Sequence, residues 1–308
     1  MSDLNPPSDA LRRYERPKEA PPAQVALPEG AVTPYEALEP ALEGSTLSSG
    51  GRDLLRGLLR LGRSAMFPGG GAGIEYGSLL KTAARPKYIG AHVREVATHL
   101  HDQRVDVLVV PGMSGYPVGA MYSIASGIPA VLLKKQRHAD HAPDEVYPPG
   151  AFVIPSYTGD GDVLMSADLA AMQDIVDEIL APQLEAQRDA ETIRFAVCVA
   201  GADDIIDKAT MSQAVSESAL IVGRTAIASF VERHRQATGD ERPVEDDVQV
   251  VAWVTPLIKG YNRPHEHLQR WFGVTPFAGL NVTSVHLEPP AIGVEGVGIV
   301  GFATVPDV

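Results

Sequence analysis

The sequence predicts an α/β fold, a parallel sheet flanked by helices, with an extended N-terminal arm and a β-rich C-terminal tail. Three observations lead there. Apolar runs without polar alternation, at 105–110, 130–133 and 195–199, have the composition of strands buried on both faces. Helical stretches of ten or so residues separate them, the spacing of parallel strands joined by crossover helices. Outside this alternation the first 48 residues are crowded with proline, and those beyond 254 are punctuated by glycine and proline. At 308 residues and 44% apolar composition, the chain holds enough material for one full core with appendages.

Residues 1–48 contain Pro6-Pro7, Pro17, Pro21-Pro22, Pro28, Pro34 and Pro40 and no sustained helix or strand period. They are expected to form an arm that binds in trans, building a homo-oligomer or larger assembly. In 49–64 a basic amphipathic helix runs from Arg52 to Arg63, with Leu54, Leu55, Leu58, Leu59 and Leu61 on one face, and docks the arm. The α/β domain follows at 65–237. It is read as helix 88–100, strand 105–110, helix 118–126, strand 130–133, strands 152–155 and 163–166 around the Gly159-Asp-Gly161 turn, helix 169–187, strand 195–199 and helix 211–235. The remainder, 238–308, is read as a polar linker (238–247), a strand (248–254) and short β segments.

The net charge of −13 and pI near 5.1 argue against nucleic-acid and anionic-membrane partners, since a local basic patch would have to overcome the global field. No run of about 18 apolar residues suggests a spanning helix, and the start of the chain, acidic and proline-rich, is read as neither signal peptide nor anchor. One cysteine, Cys198, sits in an apolar run and reads as a buried thiol in a reducing compartment. A cytoplasmic location is expected. Two histidine pairs, His138 with His141 and His265 with His267, are too few for a metal site and read as solvated side chains. Gly69-Gly-Gly-Ala-Gly73 lacks the lysine of a Walker loop, and Asn281-Val-Thr283 is a glycosylation sequon in spelling only.

Chemistry concentrates in Val197-Cys-Val-Ala-Gly-Ala-Asp203-Asp204-Ile-Ile-Asp207-Lys208-Ala209-Thr210-Met211. An apolar strand ending in two acids, then a short turn and a helix, places carboxylates and a helix N-terminus at the C-terminal edge of a parallel sheet, where α/β folds bind ligands. This segment resembles the phosphoribosyl-pyrophosphate motif of the type I phosphoribosyltransferases: a strand, Asp-Asp, two or three residues, then Thr-Gly-x-Thr. Lys208 and Ala209 stand where that family has Thr-Gly. A Cβ in a left-handed backbone costs about 1–2 kcal/mol and crowds an anion.

Three further segments, in the same order as in the adenine phosphoribosyltransferases, extend the resemblance. Gly112-Met113-Ser114-Gly115-Tyr116, after a strand and before a helix, is similar to the pyrophosphate loop, with serine in place of the family's arginine. A strand ending in Lys134-Lys135 follows. Phe67 to Leu80 resembles the segment that closes over the base, with Gly77 one step from the expected aspartate. Ser156-Tyr157-Thr-Gly159 resembles the flexible-loop Glu-Tyr-Gly, with Ser156 replacing the catalytic glutamate.

The resemblance implies that phosphoribosyl pyrophosphate or a nucleotide binds through Asp203, Asp204, Asp207, Lys208, Ala209, Thr210, Met211, Gly112, Met113, Ser114, Gly115 and Lys135. Asp203 and Asp204 are also candidate Mg²⁺ ligands, and no catalytic residue is assigned. Two functions remain open. One is transfer of ribose 5-phosphate to a purine-like base, with Mg²⁺ as cofactor. The other is a catalytically inactive fold used in assembly, for example as a virion component, because the motifs keep their apolar frame while losing polar groups.

Overall fold

The computed structural model describes residues 11–15, 27, 30–66, 72–81, 84–137, 146–155 and 161–303. The expected arm contributes β1 (Arg12–Arg13), β2 (Val32–Thr33), a 3-10 turn at Tyr35–Ala37 and α1 (Leu38–Glu43). Then comes α2 (Ser49–Leu61), where the Ser48 hydroxyl caps the first turn by accepting the Gly51 amide. A hairpin of β3 (Arg63–Met66) and β4 (Ala72–Glu75) leads through α3 (Gly77–Leu80) into α4 (Pro86–Asp102), which opens on a proline.

The alternation expected from sequence follows: β5 (Val107–Pro111), α5 (Tyr116–Ser126), β6 (Ala130–Arg137), β7 (Phe152–Pro155), β8 (Asp162–Ser166), α6 (Leu169–Glu185) and β9 (Ile193–Ala202). Next are β10 (Ile205–Ile206), α7 (Thr210–Thr238), β11 (Val244–Lys259), a 3-10 turn at Gly260–Asn262 and α8 (Pro264–Phe272). The chain then forms β12 (Phe277–Leu287), β13 (Pro290–Val294) and β14 (Gly298–Gly301).

Among the described residues twelve strands share one sheet, in the order β1-β7-β8-β6-β5-β9-β11-β12-β13-β14-β2, with β10 branching onto β11. Its centre, β6-β5-β9-β11-β12, is parallel throughout. The three strands expected to neighbour one another, β6, β5 and β9, do so in parallel. Each strand sends alternate side chains to opposite cores. Leu108, Val110, Ala200 and Ala202 pack with the leucines of α2 and with Val96 of α4. Val107, Val109, Val197 and Val199 pack with Val176 of α6 and Val215 of α7. The absence of polar alternation is thereby explained: both faces are covered.

Three expectations are corrected. The described parts of 1–48 do not stand away from the fold. Leu38 and Leu42 are buried in its core, β1 pairs with β7, and β2 pairs with β14, all within one chain. The 238–308 segment is no appendage, because β11 occupies the middle of the sheet, paired with β9 from Val244↔Ile193 to Val254↔Ala202. The run 238–247 reads as a linker because the outer half of β11, Glu245, Asp246 and Asp247, is exposed, and α8 interrupts the expected β segments. Cys198 is half-buried, and burial raises its thiol pKa. Helix α7 is long and apolar enough to cross a membrane, yet half of its apolar window is buried, with Ala214, Val215 and Val222 in the core. The segments around Phe67, at Ser156 to Gly159, and at His138 and His141 lie outside the described residues.

Candidate functional site

The C-terminal ends of β5, β6 and β9 and the start of α7 surround a cavity of about 330 Å³. Its first wall is the turn between β5 and α5. A Cβ at Gly112 would lie 2.6 Å from the Tyr116 hydroxyl and 2.7 Å from the Leu133 carbonyl, so only glycine fits. Tyr116 donates to that carbonyl, tying the turn to β6. The Gly112–Met113 peptide is cis. At Gly115 a Cβ would meet Pro111 O at 2.8 Å and Asp203 Oδ1 at 2.9 Å. This glycine brings the turn against the acid pair.

The second wall begins where β9 ends. Asp203 Oδ1 accepts the Asp204 amide at 2.8 Å, and the Asp203 amide donates to Val254 O at 3.2 Å. Burial, and then the adjacent Asp204 charge, push the Asp203 carboxyl well above the usual carboxylate range. Asp204 is 1% exposed. Its Oδ2 accepts the Tyr76 hydroxyl at 2.8 Å and lies 3.3 Å from Lys81 Nζ, and that ammonium sits 4.7 Å over the Tyr76 ring. Beyond it Tyr122, fully buried, bonds His92 Nε2 at 2.9 Å.

The third wall is the turn into α7. Pairing of β10 with Leu257 and Ile258 draws the chain beneath the cavity. Ala209 then adopts φ 61°, ψ 0°, a left-handed conformation that favours glycine, with its methyl buried. Helix α7 opens with no side-chain cap, and the Gln213 amide closes the first turn on Ala209 O. The amides ahead of it lack an intrahelical acceptor, which makes this end attractive to anions. Asp207 is held from behind, by Lys259 Nζ at 2.8 Å and Asn262 Nδ2 at 2.5 Å.

Ten of the twelve candidate residues line this cavity: Gly112, Met113, Ser114, Lys135, Asp203, Asp207, Lys208, Ala209, Thr210 and Met211. Asp204 and Gly115 do not, since Asp204 is engaged by Tyr76 and Lys81, and Gly115 packs behind Asp203. Lys81, Ile154, Ile205, Ile206 and Ser212 line it without having been among those candidates, and Tyr76, Lys259 and Asn262 support it. Tyr76 lies in the Phe67 to Leu80 stretch singled out above, and nothing local in the sequence marks the others. Lys135 and Lys208 border a space in which Lys81 is paired with Asp204, Asp207 is paired with Lys259 and Asp203 is biased toward its neutral form. An acidic protein thus presents a cavity that favours anions.

Among the described residues no group of three His, Cys, Asp or Glu side chains converges as a metal site. With Asp204 engaged, the acid pair does not offer two open carboxylates. A magnesium ion carried on a pyrophosphate needs only one or two protein carboxylates, and Asp203 is placed for that role.

No family model and no curated protein matches the chain. Among solved structures it is similar to adenine phosphoribosyltransferase from Thermoanaerobacter pseudethanolicus, at 14% identity and TM-score 0.42, covering 73% of this chain and 97% of that one. For the Giardia lamblia enzyme complexed with 9-deazaadenine the values are 15% and 0.43, covering 73% and 96%. The Saccharomyces cerevisiae enzyme gives 15% and 0.39, covering 75% and 99%.

Proposed function

We propose that the cavity binds phosphoribosyl pyrophosphate or a nucleotide and that the chain is a phosphoribosyltransferase-like protein, transferring ribose 5-phosphate to a purine-like base. The observation that carries this reading is the meeting of two loops some ninety residues apart in sequence. The 112–115 turn and the 207–211 turn face one anion-favouring space with Asp203 between them. The pyrophosphate lies at the glycine turn beside Lys135, the 5′-phosphate lies at the start of α7, and Asp203 accepts from a ribose hydroxyl. Magnesium, when bound, supplies charge neutralisation on the leaving pyrophosphate, and Asp203 is the residue that would hold it.

Calorimetry with phosphoribosyl pyrophosphate and Mg²⁺ tests the binding step, and pyrophosphate release in the presence of adenine tests transfer. Absence of binding at millimolar ligand refutes the reading. Because Mg²⁺ on the ligand needs an ionised Asp203, affinity in the presence of Mg²⁺ is expected to rise with pH as that raised group deprotonates, whereas without Mg²⁺ the same deprotonation opposes the anion. A second reading, a retained fold used for assembly, is favoured by one observation: the Asp204 carboxylate is already engaged by Tyr76 and Lys81. Binding without pyrophosphate release from any purine base supports loss of catalysis.

A further inference from the structure

The turn that opens α7 carries an acid where an anion is to bind. Asp207 lines the cavity beside Lys208 and Ala209, and an uncompensated carboxylate there opposes a phosphate group. Compensation comes from the far end of the chain. Lys259, the last residue of β11, is 7% exposed and places Nζ 2.8 Å from Asp207 Oδ2. Asn262 donates to Oδ1, so both carboxylate oxygens are engaged. The side chains of the pair are 8% and 19% exposed, which limits screening by solvent and salt. The same strand also holds the turn's backbone through Ile205↔Leu257 and Ile206↔Ile258.

We propose that Lys259 is a positioning residue of this site: by cancelling the Asp207 charge and, with Asn262, fixing the turn, it makes the start of α7 able to accept a phosphate group. This rests on reading the cavity as a phosphate site. The inference gives the last quarter of the chain a functional role, since Lys259 lies outside the cavity wall and reaches the site through Asp207.

The test is calorimetry on the full-length protein with phosphoribosyl pyrophosphate and, separately, inorganic phosphate, comparing the parent with Lys259→Met, Lys259→Arg, Asp207→Asn and the double variant Asp207→Asn/Lys259→Met. Lys259→Met should weaken both ligands by roughly tenfold to hundredfold, the effect of one exposed like charge a few ångströms away at intermediate dielectric. Lys259→Arg should retain binding, and the double variant should recover most of what Lys259→Met loses. Unchanged affinity in Lys259→Met, or no recovery in the double variant, overturns the proposal. Should Lys259→Met fail to fold, Asp207→Asn decides alone: it is expected to bind at least as tightly as the parent, and weaker binding overturns the proposal. Binding of inorganic phosphate, weakened by Lys259→Met, but not of phosphoribosyl pyrophosphate by the parent removes the sugar-phosphate reading and leaves the role of Lys259 standing. Binding of neither removes both.

Discussion

At Asp203 the free energies of folding and of binding are set against each other. Aspartate in an unfolded chain titrates near 3.9, whereas burial makes folded Asp203 hold its proton to higher pH. Between those two values the folded state binds the extra proton, so this residue's contribution to stability falls as pH rises above about 4. Asp203→Asn is therefore expected to stabilise the protein at pH 7.5 by about 1–3 kcal/mol, the scale of a buried polar group's desolvation penalty. At pH 4 the variant and parent should nearly coincide in urea unfolding. An equal difference at both pH values would show that folding leaves the proton affinity of Asp203 unchanged. At the neighbouring Asp204, Tyr76→Phe removes a buried donor to a carboxylate and should cost about 1.5–3 kcal/mol by the same measurement. Asp203, Asp204 and Ala209 could be picked out in the sequence because strand, acids, turn and helix are consecutive there. Lys81 and Lys259 could not, since only tertiary folding brings residues so remote to the acids and to Asp207.

Individual elements were legible wherever burial is two-sided. The apolar runs of β5, β6 and β9 and the leucine face of α2 each announce their packing, and the structure extends most of them by a few residues into polar flanks. Strand β11 was half hidden, because its acidic outer half extends past the covered region. Helix α1 was missed because Pro40 lies inside a six-residue element, whose order comes from burying Leu38 and Leu42 rather than from propensity. Glycine placement is the clearest link between element and site. Gly115→Ala would drive its methyl against the Pro111 carbonyl and the buried Asp203 carboxylate. A destabilisation of about 1–3 kcal/mol is expected, together with loss of phosphate-ligand binding in calorimetry. Gly127→Ala provides the control. At φ 71° with open space around it, it should cost about 1–2 kcal/mol through backbone strain alone and leave binding intact.

Across the whole molecule, the strand order makes the two ends of the chain indispensable to the middle. A chain ending at residue 237 keeps every candidate ligand-contacting residue but loses β11 and β12 from the parallel centre, and is expected not to fold cooperatively by near-UV circular dichroism. A chain starting at Ser49 removes Leu38 and Leu42 from the core and uncovers the edges of β7 and β14. It should melt at lower temperature even at high dilution, and a melting point unchanged from the full-length protein would show that these contacts contribute nothing. Exposed strand edges invite pairing with other chains, so self-association of this truncation is expected to increase by light scattering. The parallel pairing of β9 with β11 also governs the order of events on the ribosome. After Ala202 has emerged, 41 residues, 203–243, must be made before the first residue of β11 appears, roughly 2–8 s at ordinary translation rates of about 5–20 residues per second. For that interval the nascent protein carries an open seam through what will become its centre, and a trigger-factor-like holdase acting during synthesis should raise its soluble yield more than one added after release.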